Sequence, residues 1–148
     1  MTRFQTFLVP HDFSDDAEAA LEAAVELARR LDAQLHLLHV YQQPVDVLSP
    51  YGVAIPPNVG PELRAAAQSR LQKIAARISG VRIEVHVAEG PPALVITEQA
   101  QALAADLVVM GTHGRTGLRH LLLGSVAERT MRTAPCPVLT VKTPEPAA

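Results

Sequence analysis

Leu107-Val-Val-Met-Gly-Thr-His-Gly-Arg-Thr-Gly-Leu-Arg-His-Leu-Leu-Leu-Gly-Ser-Val126 is the stretch whose reading decides the fold. Its first four residues are short and wholly apolar, the pattern of a central strand buried on both faces. A glycine-punctuated loop follows from Gly111 to Gly124, and Ser125 then starts a helix expected to run to about Thr133. Downstream, Pro137 to Lys142 reads as a fifth strand. Upstream, Pro91 and Pro92 open a helix to about Ala104. Before it, Val81-Arg-Ile-Glu-Val-His-Val87 alternates strictly, as an edge strand with one exposed face does. Glu62 to Ser79 has helical spacing, with Gly80 placed to end it. Gln34 to Tyr41 reads as a buried parallel strand. Ser14 is an N-cap with Asp15 and Asp16 in the favoured first turn. Leu21, Ala24, Val25, Ala28 and Leu31 then recur at helical steps, and Phe4 to Pro10 is the first strand. Strand and helix alternate to the end, which predicts an α/β domain with a parallel sheet.

The 148 residues suffice for one domain with a sizeable core, since 48% are hydrophobic and 19% charged. A net charge of −2 excludes a general binder of nucleic acid or anionic membrane. The three Phe and two Tyr are too few for a base-stacking surface. A single cysteine, Cys136, excludes an internal disulfide and cysteine-cluster metal sites. The N-terminus lacks an export signal and no window nears about 18 uninterrupted apolar residues. The expectation is therefore a soluble, cytoplasmic protein. Pro44 to Pro61 holds seven of the 20 Pro and Gly residues. It is expected to be a long loop, serving as a lid, as an interface or as a plain surface insertion.

In such sheets ligands sit beyond the carboxyl ends of the strands, where the strand order reverses. The loops after strands one and four are therefore the places to look. Gly111, Gly114 and Gly117 allow tight turns or close backbone approach. Gly124-Ser125 at a helix start offers free N–H groups, a ready anion site, and His113, Arg115 and Arg119 add donors. No Walker-type G-x-x-x-x-G-K-S/T loop is present. On glycines alone, a nucleotide loop and a plain turn stay equally open.

Gly111-x-x-Gly114, nine further residues, then Gly124-Ser125 matches the G-x2-G-x9-G-S/T loop of ATP-binding universal stress proteins. The opening Val-Pro-His-Asp12-Phe-Ser and the closing Ala134-Pro-Cys-Pro-Val-Leu-Thr-Val141 are similar to that family's flanks. The chain thus resembles the ATP-binding branch of the UspA-like family over about 140 residues. The resemblance implies one domain over residues 1–143; the breaker-rich stretch is then a loop insertion at about 42–61, and residues 144–148 are expected to form a flexible tail. It implies an open five-stranded parallel sheet of order 3-2-1-4-5 with helices on both faces, a Rossmann-like, adenine-nucleotide-binding fold. It further implies ATP, accompanied by magnesium or manganese, although the sequence offers no dedicated carboxylate cage. Carried over by position, Asp12, with Pro10 before it, would border the adenosine, and Val40 the base. Met110 would line the adenine-ribose region. Gly111, His113, Gly114 and Arg115 would carry ribose and phosphates, and Gly124, Ser125 and Val126 the phosphate at the helix start. A homodimer through the edge strand Val138, Leu139, Thr140 and Val141 is implied too, with a role as a nucleotide-dependent regulatory module in the stress response.

Each residue has a plainer reading. Asp12 can simply cap its turn with Ser14, and Ser125 can be only an N-cap. His113, between loop residues, is expected to have little packing hold on it. His36 and His86 read as ordinary strand residues. His36 and His39, three apart in one strand, fall on opposite faces, which argues against a shared metal. Cys136, between two prolines, reads as a small packed residue. Leu121-Leu-Leu123 either packs beneath the glycine turns or meets a partner. No catalytic residue is identifiable, and no metal ligand set. A slow ATPase or autophosphorylating enzyme, and a nucleotide-free dimeric scaffold, remain the alternatives. A large side chain at Gly124 is expected to abolish nucleotide binding with the fold intact.

Overall fold

A computed structural model of the chain describes residues 3–42, 59–114 and 122–143. Arg115 and Arg119, most of the Pro44 to Pro61 stretch and the 144–148 tail lie outside the described residues. The elements run β1 (Thr6–Pro10), α1 (Asp15–Leu31), β2 (Gln34–Tyr41), α2 (Val59–Ala76), β3 (Ile83–Glu89), α3 (Pro92–Ala102), β4 (Leu107–Gly111), α4 (Ser125–Thr133) and β5 (Val138–Val141). The sheet is parallel throughout, in the order β3-β2-β1-β4-β5. β3 is an edge strand and β4 is interior, as their patterns predict.

Side chains alternate across the sheet, so each strand feeds two cores. Phe7, Val9, Leu35, Leu37, Leu107 and Val109 face α1 and α2, whose Ala20, Leu21, Ala24, Leu71 and Ile74 complete that layer. Leu8, Leu38, Val108 and Met110 face the other way, against Ile96 and Ala100 of α3 and Ala127 of α4. Helices therefore cover both faces. Cys136 and Leu123 pack on this second core, whereas Leu122 is exposed. Burial, and the nearby Asp106 charge, push the Cys136 thiol pKa up, so it behaves as an inert packed group.

α2 differs from its expected bounds at both ends. It begins at Val59, so Pro61 lies in its first turn. Proline is tolerated there because that N–H has no intrahelical acceptor in any case. At the other end the helix tightens, with Arg77 N–H bonding Ile74 O and Ile78 N–H bonding Ala75 O. It stops at Ala76, and Gly80 (φ +76°) turns the chain a few residues later instead of capping the helix. The Arg29 guanidinium of α1 holds that turn through two bonds to Ser79 O, at 3.1 and 2.7 Å.

Candidate functional site

β1 and β4 are neighbours at the centre of the sheet, while their connections leave toward opposite faces. Their carboxyl ends therefore diverge around a crevice. A cleft of about 150 Å³ opens there. Pro10, Asp12, Val40, Met110, Gly111, His113, Gly114, Gly124, Ser125 and Val126 all line it. Of the residues singled out from the loop, Arg115, Gly117 and Arg119 lie outside the described residues. His11, which its place after the first strand allowed to border the crevice, lines it too, and Ala17, Leu38, Pro92, Ile96, Thr112 and Ala127 complete the lining without any sequence pattern that marked them for it.

One wall is the turn from β1 into α1. The His11 N–H continues the β1 ladder to Leu38 O at 2.7 Å. Its ring Nδ1 accepts from the Phe13 N–H at 2.9 Å. That bond holds Phe13 at φ +66°, a left-handed conformation costing about 1–2 kcal/mol for a residue with a side chain. Asp12 Oδ1 accepts from the Ser14 N–H at 3.0 Å and from the Ser14 hydroxyl at 2.5 Å, while Ser14 Oγ accepts from the Ala17 N–H at 3.2 Å. The Asx-turn reading of Asp12 is thus correct as geometry. It does not take Asp12 from the cleft, because the turn fixes the carboxylate with Oδ2 facing Gly114. A Cβ at Gly114 would lie 2.8 Å from that oxygen.

His11 is 2% exposed, and burial pushes its imidazole pKa down, against the opposing pull of Glu18 and Asp12. With Nδ1 accepting, the neutral ring carries its hydrogen on Nε2. Nε2 lies 3.4 Å from Glu18 Oε1 without forming a hydrogen bond. His39 Nδ1 donates to the His11 carbonyl at 2.8 Å. Its ring lies 4.5 Å from that of Phe13, over which the Arg70 guanidinium sits at 3.7 Å.

The facing wall is the backbone leaving β4. Its anchor is Asp16, in the first turn of α1 and 4% exposed. Asp16 Oδ2 accepts from the His113 N–H at 3.2 Å and, at the 3.5 Å limit, from the Thr112 hydroxyl. Oδ1 accepts from the Thr143 hydroxyl just beyond β5, at 2.5 Å. Gly111 lies so close beneath that a Cβ would stand 2.8 Å from the Asp16 backbone carbon. His113 is more firmly held than its glycine neighbours imply: its side chain is 9% exposed, with Nδ1 3.0 Å from Thr112 Oγ1 and 3.5 Å from Asp16 Oδ2.

The third wall is the start of α4. Its N-cap is Gly124, in an extended conformation (φ −71°, ψ 162°), with no side-chain cap bond. Ser125 is therefore the first helical residue and not the cap. The opening N–H groups of a helix have no intrahelical acceptor, and here they face a cleft floored by Leu38, Val40, Ile96 and Met110. Such a site accepts a flat apolar group on the floor and an anion at the helix start. Gly124 itself is needed by the fold. Its N–H donates to Thr112 O at 2.6 Å, and a Cβ would stand 2.9 Å from that oxygen. The expectation that a large residue at Gly124 leaves the fold intact is corrected accordingly.

The register also gathers groups that sequence reasoning left apart. His36 Nδ1 lies 2.8 Å from His86 Nε2 and 3.6 Å from Glu84 Oε2. Burial, and then the neighbouring His86, push the His36 imidazole pKa down.

The universal stress protein family model matches residues 3–142. A universal stress protein of Methanocaldococcus jannaschii is 40% identical over 149 aligned positions, covering 96% of this chain and 84% of that protein. The solved structure of universal stress protein UspA from Lactobacillus plantarum is similar over 95% of this chain and 99% of its own, with a TM-score of 0.74 and 28% identity. A universal stress protein solved in complex with cAMP is similar over 97% of this chain and 100% of its own, with a TM-score of 0.68 and 26% identity.

The Asp16 anchor makes a direct prediction. Asp16→Ala leaves buried donors on Thr112 and His113 without their acceptor and is expected to lower stability by about 3 kcal/mol in urea unfolding. A loss under about 1 kcal/mol would show that the carboxylate does not hold the β4 loop.

Proposed function

The chain belongs to the universal stress protein family, and on that premise we propose that its cleft binds an adenine nucleotide, ATP with a divalent ion. Binding makes the chain a nucleotide-dependent regulatory module of the stress response, acting in the cytoplasm. The observation that carries the reading is the uncapped start of α4, which opens onto a largely apolar cleft where β1 and β4 diverge. The universal stress protein solved with cAMP supports the adenine-nucleotide class of ligand.

In this reading the base lies over Val40 and Met110, with Pro10 and Asp12 bordering the ribose. Gly111, His113, Gly114 and Arg115 flank the phosphates, and the N–H groups of Ser125 and Val126 donate to phosphate oxygens from the end of α4. Gly124 keeps the helix end open by presenting no side chain. A magnesium or manganese ion would be held mostly by the phosphate oxygens and would neutralise charge there. A protein partner reads occupancy of the cleft as a shift in population. Among the described residues, the carboxylate and imidazoles that line the cleft, Asp12, His11 and His113, are held in bonds that build its walls, which favours binding over turnover.

The second part of the proposal is a homodimer through β5. Val138, Leu139, Thr140 and Val141 form a sheet edge, and Leu139 is 39% exposed on it. A second copy of the same edge would satisfy that backbone by two-fold pairing.

Ser125→Pro tests the site without the difficulty that Gly124 poses. Proline suits the first helical position, and the extended Gly124 suits the residue before a proline. The change removes one N–H and spares the fold. Calorimetric titration with ATP and magnesium is expected to show affinity reduced roughly ten- to hundredfold, for the loss of one hydrogen bond to a charged group. Ser125→Ala, which keeps the N–H, should bind much nearer to the parent. Undiminished affinity in Ser125→Pro would remove α4 from the site. For the dimer, Leu139→Lys is expected to convert a sedimenting dimer into a monomer, and a parent chain that sediments as a monomer would contradict the β5 interface.

A further inference from the structure

We propose that His36, Glu84 and His86 form a binding site for a divalent transition-metal ion, zinc foremost, on the open β3 flank of the sheet and outside the lining of the nucleotide cleft. The parallel register sets His36 opposite Glu84 and Leu38 opposite His86. Residues two apart on a strand share a face, so all three side chains rise on one side. That side belongs to α3 and α4, but α3 packs on β2 and α4 on β5, while α2 covers β3 from the opposite face. The β3 flank therefore stays accessible: Glu84 is exposed, His86 half-buried and His36 buried.

The donor atoms converge as such an ion requires. His36 Nδ1 lies 2.8 Å from His86 Nε2 and 3.6 Å from Glu84 Oε2, and the three ligand atoms all lie within 4.8 Å of one another. In a tetrahedral zinc site with bonds of about 2.0–2.1 Å, ligand atoms stand about 3.3 Å apart. Two of the separations bracket that value and the third is no more than 4.8 Å, so the three ligand atoms come within reach of one ion by side-chain rotation. Among the described residues this is the one group of three His, Cys, Asp or Glu side chains so placed.

Two imidazoles and one carboxylate suit zinc, or its neighbours cobalt and nickel. Magnesium and calcium prefer all-oxygen sets. Three protein ligands leave a fourth position for water on the exposed side. In the metal-free pair, one of the facing nitrogens carries the shared hydrogen. With the ion between the rings, that hydrogen sits on the far nitrogen of the same ring, and both imidazoles bind neutral. The ion would tie the edge strand β3 to β2 and stabilise the folded chain by mass action. None of the three residues lines the cleft, although Leu38, which does, is the register partner of His86, so the two sites adjoin without sharing a residue.

The test is calorimetric titration of the full chain, freed of metal and nucleotide, with zinc chloride. The expected result is one bound equivalent that magnesium does not displace. His86→Ala should weaken it at least tenfold, as should Glu84→Gln, an exposed change that leaves packing alone. Thermal unfolding with and without zinc should show a higher Tm for the parent and a reduced rise in both variants. No zinc uptake by the parent, or an affinity unchanged in either variant, would overturn the proposal.

Discussion

The carboxylate of Asp16 is the point through which the two halves of the molecule meet. It sits in the first turn of α1, out of water, and accepts bonds from chain leaving β4 and chain leaving β5. A buried carboxylate is tolerable only when such donors surround it. The partial positive charge at the start of α1 adds to them. Gly111 follows from the same constraint, since a side chain there would run into Asp16 itself. The glycines of the loop are thus partly structural: they let β4 pass under the start of α1 and let Gly124 fold back onto Thr112.

From that junction the cleft takes its form. The order β3-β2-β1-β4-β5 puts β1 beside β4, and the two chains part at their ends. On one side His11 and Asp12 spend side-chain bonds on the strained turn at Phe13. On the other, α4 begins without a side-chain cap. The turn presents a carboxylate and the helix start presents donors, with an apolar floor between them. Apolar surface flanked by an anion cradle is what an adenine nucleotide requires of a protein.

Much of this is legible in the sequence because it is periodic or local. The bounds of β2 and α4 follow from hydrophobic pattern and from Gly124-Ser125, and β3 shows its edge position in its alternation. The positions carried over from the family's loop line one cleft, with Arg115 outside the described residues. What escapes the sequence depends on contacts between distant segments. Asp16 reads as an ordinary helix-dipole residue, since nothing local shows that Thr112, His113 and Thr143 converge on it. His113 looks loosely held for the same reason. His36 and His86 stand fifty residues apart, and only the β2–β3 register brings them to 2.8 Å. Pro61 looks like a loop residue, because proline marks a first helical turn and a break equally well.

The central claim is that the cleft holds an adenine nucleotide. The most direct measurement is to purify the full chain without added nucleotide, denature it, and identify any released small molecule by chromatography and mass. The account predicts an adenine nucleotide, ATP foremost, approaching one per chain. An empty protein that also fails to take up ATP in the presence of magnesium would contradict it.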